Sequence, residues 1–309
     1  MAKEYEVHML IAWNDIINDE ILPFHTIPKA RSIINRFTIL QWKFFRKTLK
    51  INAEIYHLHD PELLLLGYVL KFFGKKVIFD LHEDTVSQIM FKRWIPLLLR
   101  KVISAIYAFI LTVAGRFFDH IVCATDEIRL KNFQGKEKVS VIKNYAICGE
   151  LSGENQLPFE SRDCLSYVGG LALNRGLKEM ITVAEALNIP LHLAGPFQHE
   201  SEKKFVMSLS GWKHVVYHGM IDREEIKQLL SHTLLGLVLL HPLPYFIPSL
   251  PIKIFEYMDA GVPILASDFP IWKEIVEGNQ VGVTVEATNI TLIIEAVKKL
   301  LGDVHRLKK

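Results

Sequence analysis

Short apolar runs of strand length alternate with helix-length segments along almost the whole chain, and the alternation restarts once near the middle. Strands separated by helical crossovers pair in parallel, so the pattern predicts an α/β protein. In the first half the strand-like runs are 6–12 (EVHMLIA), 21–27, 55–58, 76–81 (KVIFDL), 120–124 and 139–142, with helical segments at 29–50, 62–73, 93–117 and 126–133. A polar stretch, 149–162 (GELSGENQLPFESR), carries Gly and Pro without periodicity and reads as a linker. Strand-like runs resume at 164–168, 191–194, 215–218, 235–240, 263–267 and 281–285, with helices at 177–187, 222–231, 251–260 and 291–301. Asp222 with Glu225 three residues on has the capping-box pattern. The expected organisation is two Rossmann-like domains, 1–148 and 163–309, joined by 149–162.

A length of 309 residues accommodates two domains. Half the residues are hydrophobic and 23% are charged, which excludes a disordered chain. A net charge of +2 excludes a nucleic-acid footprint. The charge is uneven, with 21 basic against 16 acidic residues in the first 150, so an anionic surface or ligand is expected on that side. Cys123, Cys148 and Cys164 are odd in number and show no CxxC spacing, which fits a reducing cytosol and neither a disulfide framework nor a zinc site. The polar opening MAKEYE is unlike a signal peptide. The most apolar run, from Val102 to Ala114, has 13 residues and falls short of the roughly 20 that span a bilayer.

In open parallel sheets ligands bind beyond the carboxyl ends of the strands. Polar residues gather at such ends: His57, His59, Asp60, Asp80, His82, Glu83 and Asp84 in the first half, and Gly169, Gly170, Asn174, Arg175 and the segment from His241 to Lys253 in the second. Two helices open just after strand ends, at Arg175-Gly176 and near Ser249–Pro251, and helix N-termini offer free N–H groups to an anion. Arg175 and Lys253 add full charges there, and Pro251 suits a first-turn position. Glu256 has two readings: an acceptor for a ribose diol, or a solvated or paired helix glutamate. The first-half His and Asp residues read either as metal ligands or as hydrogen-bonded structural residues. An HxH with scattered carboxylates is a weak metal signal, and no metal is assigned. Between Lys29 and Lys50, Arg31, Arg36, Lys43, Arg46, Lys47 and Lys50 interleave with Phe37, Leu40, Trp42, Phe44 and Phe45. This segment and the one from Lys92 to Arg116 fit an interfacial helix on anionic lipid as well as a core helix with a basic solvent face.

The run from Pro251 to Asp268 (PIKIFEYMDAGVPILASD) resembles the nucleotide-binding motif of glycosyltransferase family 4, retaining enzymes of GT-B fold. Tyr167-Val-Gly-Gly170 with Asn174-Arg-Gly176 is similar to that family's diphosphate loop. The segments IYHLHDPEL (55–63) and FDLHED (79–84) are similar to its first-domain loops, and VIKN (141–144) to the last first-domain strand. The resemblance spans roughly residues 5–302. It implies two Rossmann-like domains with parallel sheets facing a cleft, and transfer of a hexose from a nucleotide-diphosphate sugar to a saccharide or lipid-linked acceptor. Surface polysaccharide synthesis at the cytoplasmic face of the cell membrane is the implied setting. By that resemblance Glu256 holds the ribose and His82 touches the donor sugar. Gly169, Gly170, Asn174, Arg175, Lys253 and the segment Ser249, Leu250 and Ile252 hold the diphosphate, and neither metal nor cofactor is expected.

Four departures stand out. Pro248 takes the place of the first glutamate of the family's Glu-x7-Glu pair, and Gly170 stands where an arginine is common. The chain opens at the family's second strand, so the usual first strand, central in the sheet, has no counterpart. It also ends soon after Leu301, so it reads as shortened at both ends. A degenerate relative that binds nucleotide or a partner transferase without turnover is therefore a second reading. A nucleotide-sugar epimerase of the same fold is a third, disfavoured by the EYM sequence around Glu256.

Overall fold

The computed structural model describes residues 5–13, 22–30, 32–92, 94–153 and 157–302. It forms two compact units, Met1–Ile142 and Lys143–Lys309. Ile21, Arg31, Arg93 and residues 154–156 of the expected linker lie outside the described residues.

The first unit runs β1 (Met9–Ala12), β2 (Phe24–Ile27), α1 (Ile33–Phe37), α2 (Ile39–Ile51), β3 (Ile55–Leu58), α3 (Leu64–Phe72), β4 (Lys76–Leu81), α4 (Thr85–Ile89), α5 (Leu97–Phe117), β5 (His120–Cys123), α6 (Asp126–Phe133) and β6 (Val139–Val141). All pairings are parallel. The single basic helix expected over 29–50 is two helices, because Thr38 has non-helical dihedrals (φ −122°, ψ −84°). The strands make two sheets rather than one: β1 pairs with β2, and β3-β4-β5-β6 form a separate ladder. Among the described residues no strand bridges them. Both sheets feed one apolar core. Ile27, with Leu10 and Ala12, packs in the same cluster as Leu58, Val77, Phe79, Ile121 and the α2 residues Leu40 and Phe44.

Helix α5 corrects the reading of the apolar run as too short to span a bilayer. It extends to 21 residues and is long and apolar enough, by length and composition, to cross a membrane. The three leucines 97–99 precede Arg100 and Lys101 and lengthen the apolar stretch. Only Ser104, Leu111, Ala114 and Gly115 are buried, while Leu98 is 89% exposed.

The second unit runs β7 (Cys164–Val168), α7 (Leu177–Leu187), β8 (Leu191–Ala194), α8 (Glu200–Met207), β9 (Val215–Gly219), α9 (Arg223–Ser231), β10 (Thr233–Val238), α10 (Ile252–Asp259), β11 (Ile264–Ser267), α11 (Pro270–Gly278), β12 (Gly282–Val285) and α12 (Ile290–Gly302). Its parallel sheet has the order β12-β11-β10-β7-β8-β9. The first strand of the unit is central, and the order reverses between β7 and β10. Crossovers on either side of such a reversal leave to opposite faces, opening a crevice at the strands' carboxyl ends. Its inner strands β7, β10 and β11 are buried on both faces, as their nearly continuous apolar runs require. Leu165, Leu193, Leu235 and Leu237 pack on one face, and Ala194, Val238, Ile264 and Ala266 on the other.

Helix α10 is keyed to this sheet. A Cβ on Gly236 would lie 2.6 Å from the Tyr257 ring, so the missing side chain makes the room the ring fills. The Tyr257 hydroxyl accepts the Val168 N–H and reaches the Ser166 carbonyl, both at 3.3 Å. Helix α9 starts with the expected capping box, Asp222 and Glu225 bonding each other's backbone N–H.

Candidate functional site

The predicted residues other than His82 all belong to the second unit, around the ends of β7 and β10. His82 is in the first unit, exposed, just past β4. Strand β7 ends in Tyr167 and Val168, and Gly169 turns the chain with φ +138°, a conformation closed to L side chains. Beneath it sits Gly195 (φ +129°), whose Cβ would stand 2.1 Å from the Gly169 carbonyl oxygen. Two glycines in contact therefore shape the loop.

Two cations converge on this loop. Lys253, one turn before Tyr257 on α10, is 8% exposed, and its Nζ reaches Tyr167 Oη at 3.5 Å. Arg175, in the 3-10 turn before α7, also acts on the Tyr167 hydroxyl and lies over the Phe246 ring at 5.7 Å. Its Nε is buried without a partner. Burial pushes the Tyr167 phenol's pKa up, but Lys253 and Arg175, by charge and by hydrogen bonds, outweigh it and hold the pKa below the ordinary tyrosine value. The Tyr167 hydroxyl itself donates to the Gly170 carbonyl at 3.1 Å. Among the described residues neither cation has a carboxylate within ion-pair distance, so the pocket carries uncompensated positive charge. Charges withdrawn from water without a partner are costly, and an anion entering here relieves that cost.

Backbone donors add to the cations. Pro251 caps α10 with extended dihedrals (φ −73°, ψ 127°), a correction to its expected place inside the first turn. Ile252 and Lys253 then open the helix with amides that have no intrahelical acceptor. Ser249 differs from expectation: its N–H and Oγ both bond the Phe246 carbonyl, and its own carbonyl takes the Trp272 indole N–H at 2.6 Å. Its polar groups thus hold the turn. Leu250 is the half-buried residue between Ser249 and the cap. Asn174 donates to Tyr245 Oη at 3.3 Å, and its Oδ1 is buried without a partner. A Cβ on Gly170 would meet the Gln198 amide at 3.3 Å, so Gly170 and Gln198 lie side by side at the loop's rim.

Glu256, one turn past Lys253, is 9% exposed and takes a hydrogen bond at 2.6 Å from Arg223 Nη1. Arg223 opens α9 and also forks onto Glu150. Glu256 is thus a paired carboxylate, with Oε1 on Arg223 and Oε2 outside that bond. Asp259, at the end of α10, accepts the backbone N–H groups of Gly149, Leu151 and Ser152. The first residues of the expected linker are thus bound to α10 through both of its carboxylates. Sequence reading missed Arg223, because no spacing links it to a residue 33 positions away.

A sequence model of the family described as glycosyl transferases group 1 matches residues 152–309. The chain belongs to that family. It is 27% identical over 198 residues to a protein of Bacillus subtilis described as a putative teichuronic acid biosynthesis glycosyltransferase, TuaH, covering 60% of this chain and 49% of TuaH. The chain thus spans about half the length of this curated relative. Sucrose-phosphate synthase of Thermosynechococcus elongatus shares the fold with TM-score 0.73 at 14% identity, covering 99% of this chain and 82% of that one. HepE of Anabaena, solved in complex with UDP-glucose, matches with TM-score 0.70 at 16% identity over 93% of this chain and 78% of its own. These structures establish a GT-B-type α/β fold with parallel sheets.

Proposed function

We propose that the chain is a retaining glycosyltransferase that moves a hexose from a nucleotide-diphosphate sugar to a saccharide acceptor, lipid-linked, in surface polysaccharide synthesis. The observation that carries this reading is the pair Lys253 and Arg175, held at the Gly169 loop with no carboxylate partner. Two cations and the first amides of α10 match a diphosphate in charge and in donor geometry. Glu256 Oε2 accepts from a ribose hydroxyl, and His82 contacts the donor sugar. In transfer, the bond from the anomeric carbon to the diphosphate breaks. The acceptor oxygen bonds that carbon from the same face, and its proton passes to the departing diphosphate oxygen. Charge developing on the leaving group is met by preorganised cations and N–H groups, so no metal or cofactor enters this step. HepE's complex with UDP-glucose and TuaH's description support the donor class and the polysaccharide setting.

In this reading the acceptor sits at an anionic membrane surface, on the cytoplasmic side. Helices α2, α3 and α5 together carry Lys43, Arg46, Lys47, Lys50, Lys71, Arg100, Lys101 and Arg116 and not one acidic residue. Trp42, Phe72, Leu98 and Phe109 stand exposed on the same helices. Apolar side chains among cations and no anions match a peripheral interfacial surface, through the segments from Lys29 to Lys50 and from Lys92 to Arg116. Co-sedimentation with anionic liposomes at low salt and its loss at high salt is the expected result.

The divided sheet of the first unit favours a second reading, nucleotide binding without turnover. Thermal melts with UDP, GDP and their sugars, followed by assay of sugar transfer to an acceptor, test both. A melting shift with one nucleotide that is lost in Glu256→Ala supports the donor site. Transfer to an acceptor decides for the enzyme, and a shift without transfer for the binder. No shift with any nucleotide overturns both.

A further inference from the structure

The first unit holds a side-chain cluster to which no role has been given above. His57 and His59 are two residues apart on and just beyond β3, so strand alternation points both to one face. The ladder sets His57 opposite Ile78 and Leu58 opposite Phe79, and one further step brings His59 level with Asp80. The other face of the same strands carries Leu58, Val77, Phe79 and Leu81, all in the core. The three polar side chains therefore share the face turned away from that core. Asp80 Oδ2 lies 3.2 Å from His59 Nδ1 and 3.9 Å from His57 Nε2, and one donor atom from each residue falls within 4.8 Å of the others.

We propose that His57, His59 and Asp80 form a binding site for one divalent transition-metal ion of the zinc class. Zinc binds imidazole nitrogen and carboxylate oxygen at about 2.0–2.2 Å in a tetrahedron, which puts neighbouring donors roughly 3.4 Å apart. One donor separation is already there, and the others close by side-chain rotation on a rigid ladder. Two imidazoles with one carboxylate select zinc, cobalt, nickel or copper over magnesium and calcium, which take oxygen ligands. An Asp80–His59 ion pair alone leaves unexplained why His57 aims its Nε2 at the same oxygen, with its ring 4.2 Å from that of His59. Burial works against the Asp80 charge, but the hydrogen bond and charge of His59, with His82 and His57 beyond, hold its carboxyl below the ordinary range, so the carboxylate is ready as a ligand. Three protein donors leave the fourth position to water. The three donors are distinct from Lys253, Arg175 and Glu256, which belong to the second unit.

The test uses the full chain, free of any histidine tag and stripped with chelator. Titration with Co²⁺ is followed by its visible absorption, and Zn²⁺ affinity by competition with a chromophoric chelator. One equivalent of metal is expected, with the intense visible band of tetrahedral cobalt. His57→Ala and Asp80→Asn should each weaken binding at least about tenfold. His192→Ala, which breaks the two-donor pair His192–His218 (3.1 Å), should leave affinity unchanged. Because His57 is exposed, His57→Ala should melt with the metal-free wild type, which separates loss of a ligand from loss of the fold. Equal affinity in wild type and the His57→Ala/His59→Ala double variant overturns the proposal, as does binding that follows His192 instead.

Discussion

Replacing Gly195 by alanine tests the nucleotide loop without removing a single polar group. Gly195 has φ +129°, and an added Cβ would stand 2.1 Å from the Gly169 carbonyl oxygen and 2.7 Å from its carbon. The backbone conformation alone costs on the order of 1–3 kcal/mol for an L residue. Pushing a packed carbonyl aside adds about 1–3 kcal/mol. Together these give roughly 2–6 kcal/mol, which lowers the Tm of a unit this size by on the order of 5–20 °C. Gly74→Ala is the control: its φ is +73° with nothing within 4 Å of the Cβ, so only the backbone cost of about 1–2 kcal/mol applies. The second readout is nucleotide. A ligand at 100 times its Kd adds about 2.7 kcal/mol, and this gain should vanish in Gly195→Ala and persist in Gly74→Ala. Should Gly195→Ala melt like Gly74→Ala and keep its nucleotide shift, the loop does not rest on Gly195 and the reasoning fails.

Arg223→Ala removes the 2.6 Å donor from Glu256 and should weaken UDP about tenfold while leaving pyrophosphate, which has no ribose, unaffected; equal losses for both ligands would place Arg223 elsewhere. Burial disfavours the Asp259 charge, but the N–H groups of Gly149, Leu151 and Ser152 outweigh it and hold its carboxyl below the ordinary carboxylate range. A carboxyl lowered on folding stabilises above its unfolded pKa and loses that contribution as pH falls through the folded one. Asp259→Asn should therefore lower Tm at pH 7, with the gap to wild type closing in melts run at progressively more acid pH, below the ordinary carboxylate range. Of the cysteines, Cys148 is exposed, while burial pushes the Cys123 and Cys164 thiols up to about 12. A thiol reagent should find one fast-reacting group in the native chain and all three only in denaturant.

Local chemistry made much of the fold legible. Parallel strands such as β7 and β10 are continuous apolar runs, and the Asp222–Glu225 cap sits three residues apart, so both are visible without a structure. Helices α8 (ESEKKFVM) and α11 are absent from the sequence reading. The first presents little apolar face, and the second begins at Pro270, which reads as a loop. Long-range pairing is what sequence hides. Tyr167 and Lys253 are 86 positions apart, and Arg223 and Glu256 are 33. His57, His59 and Asp80 were all visible, but the register that sets His59 beside Asp80 is a property of the ladder and not of either strand.

The glycine gap at 236 makes one position hostage to another. Helix α10 is located by a void in the sheet that the Tyr257 ring occupies, so neither residue can change size alone without driving Lys253 off the Gly169 loop. Positions 236 and 257 should therefore drift as a linked pair among descendants of this sequence. A bulkier strand residue is tolerated only where the ring has shrunk, and selection on nucleotide binding would be felt at a glycine that never meets a ligand.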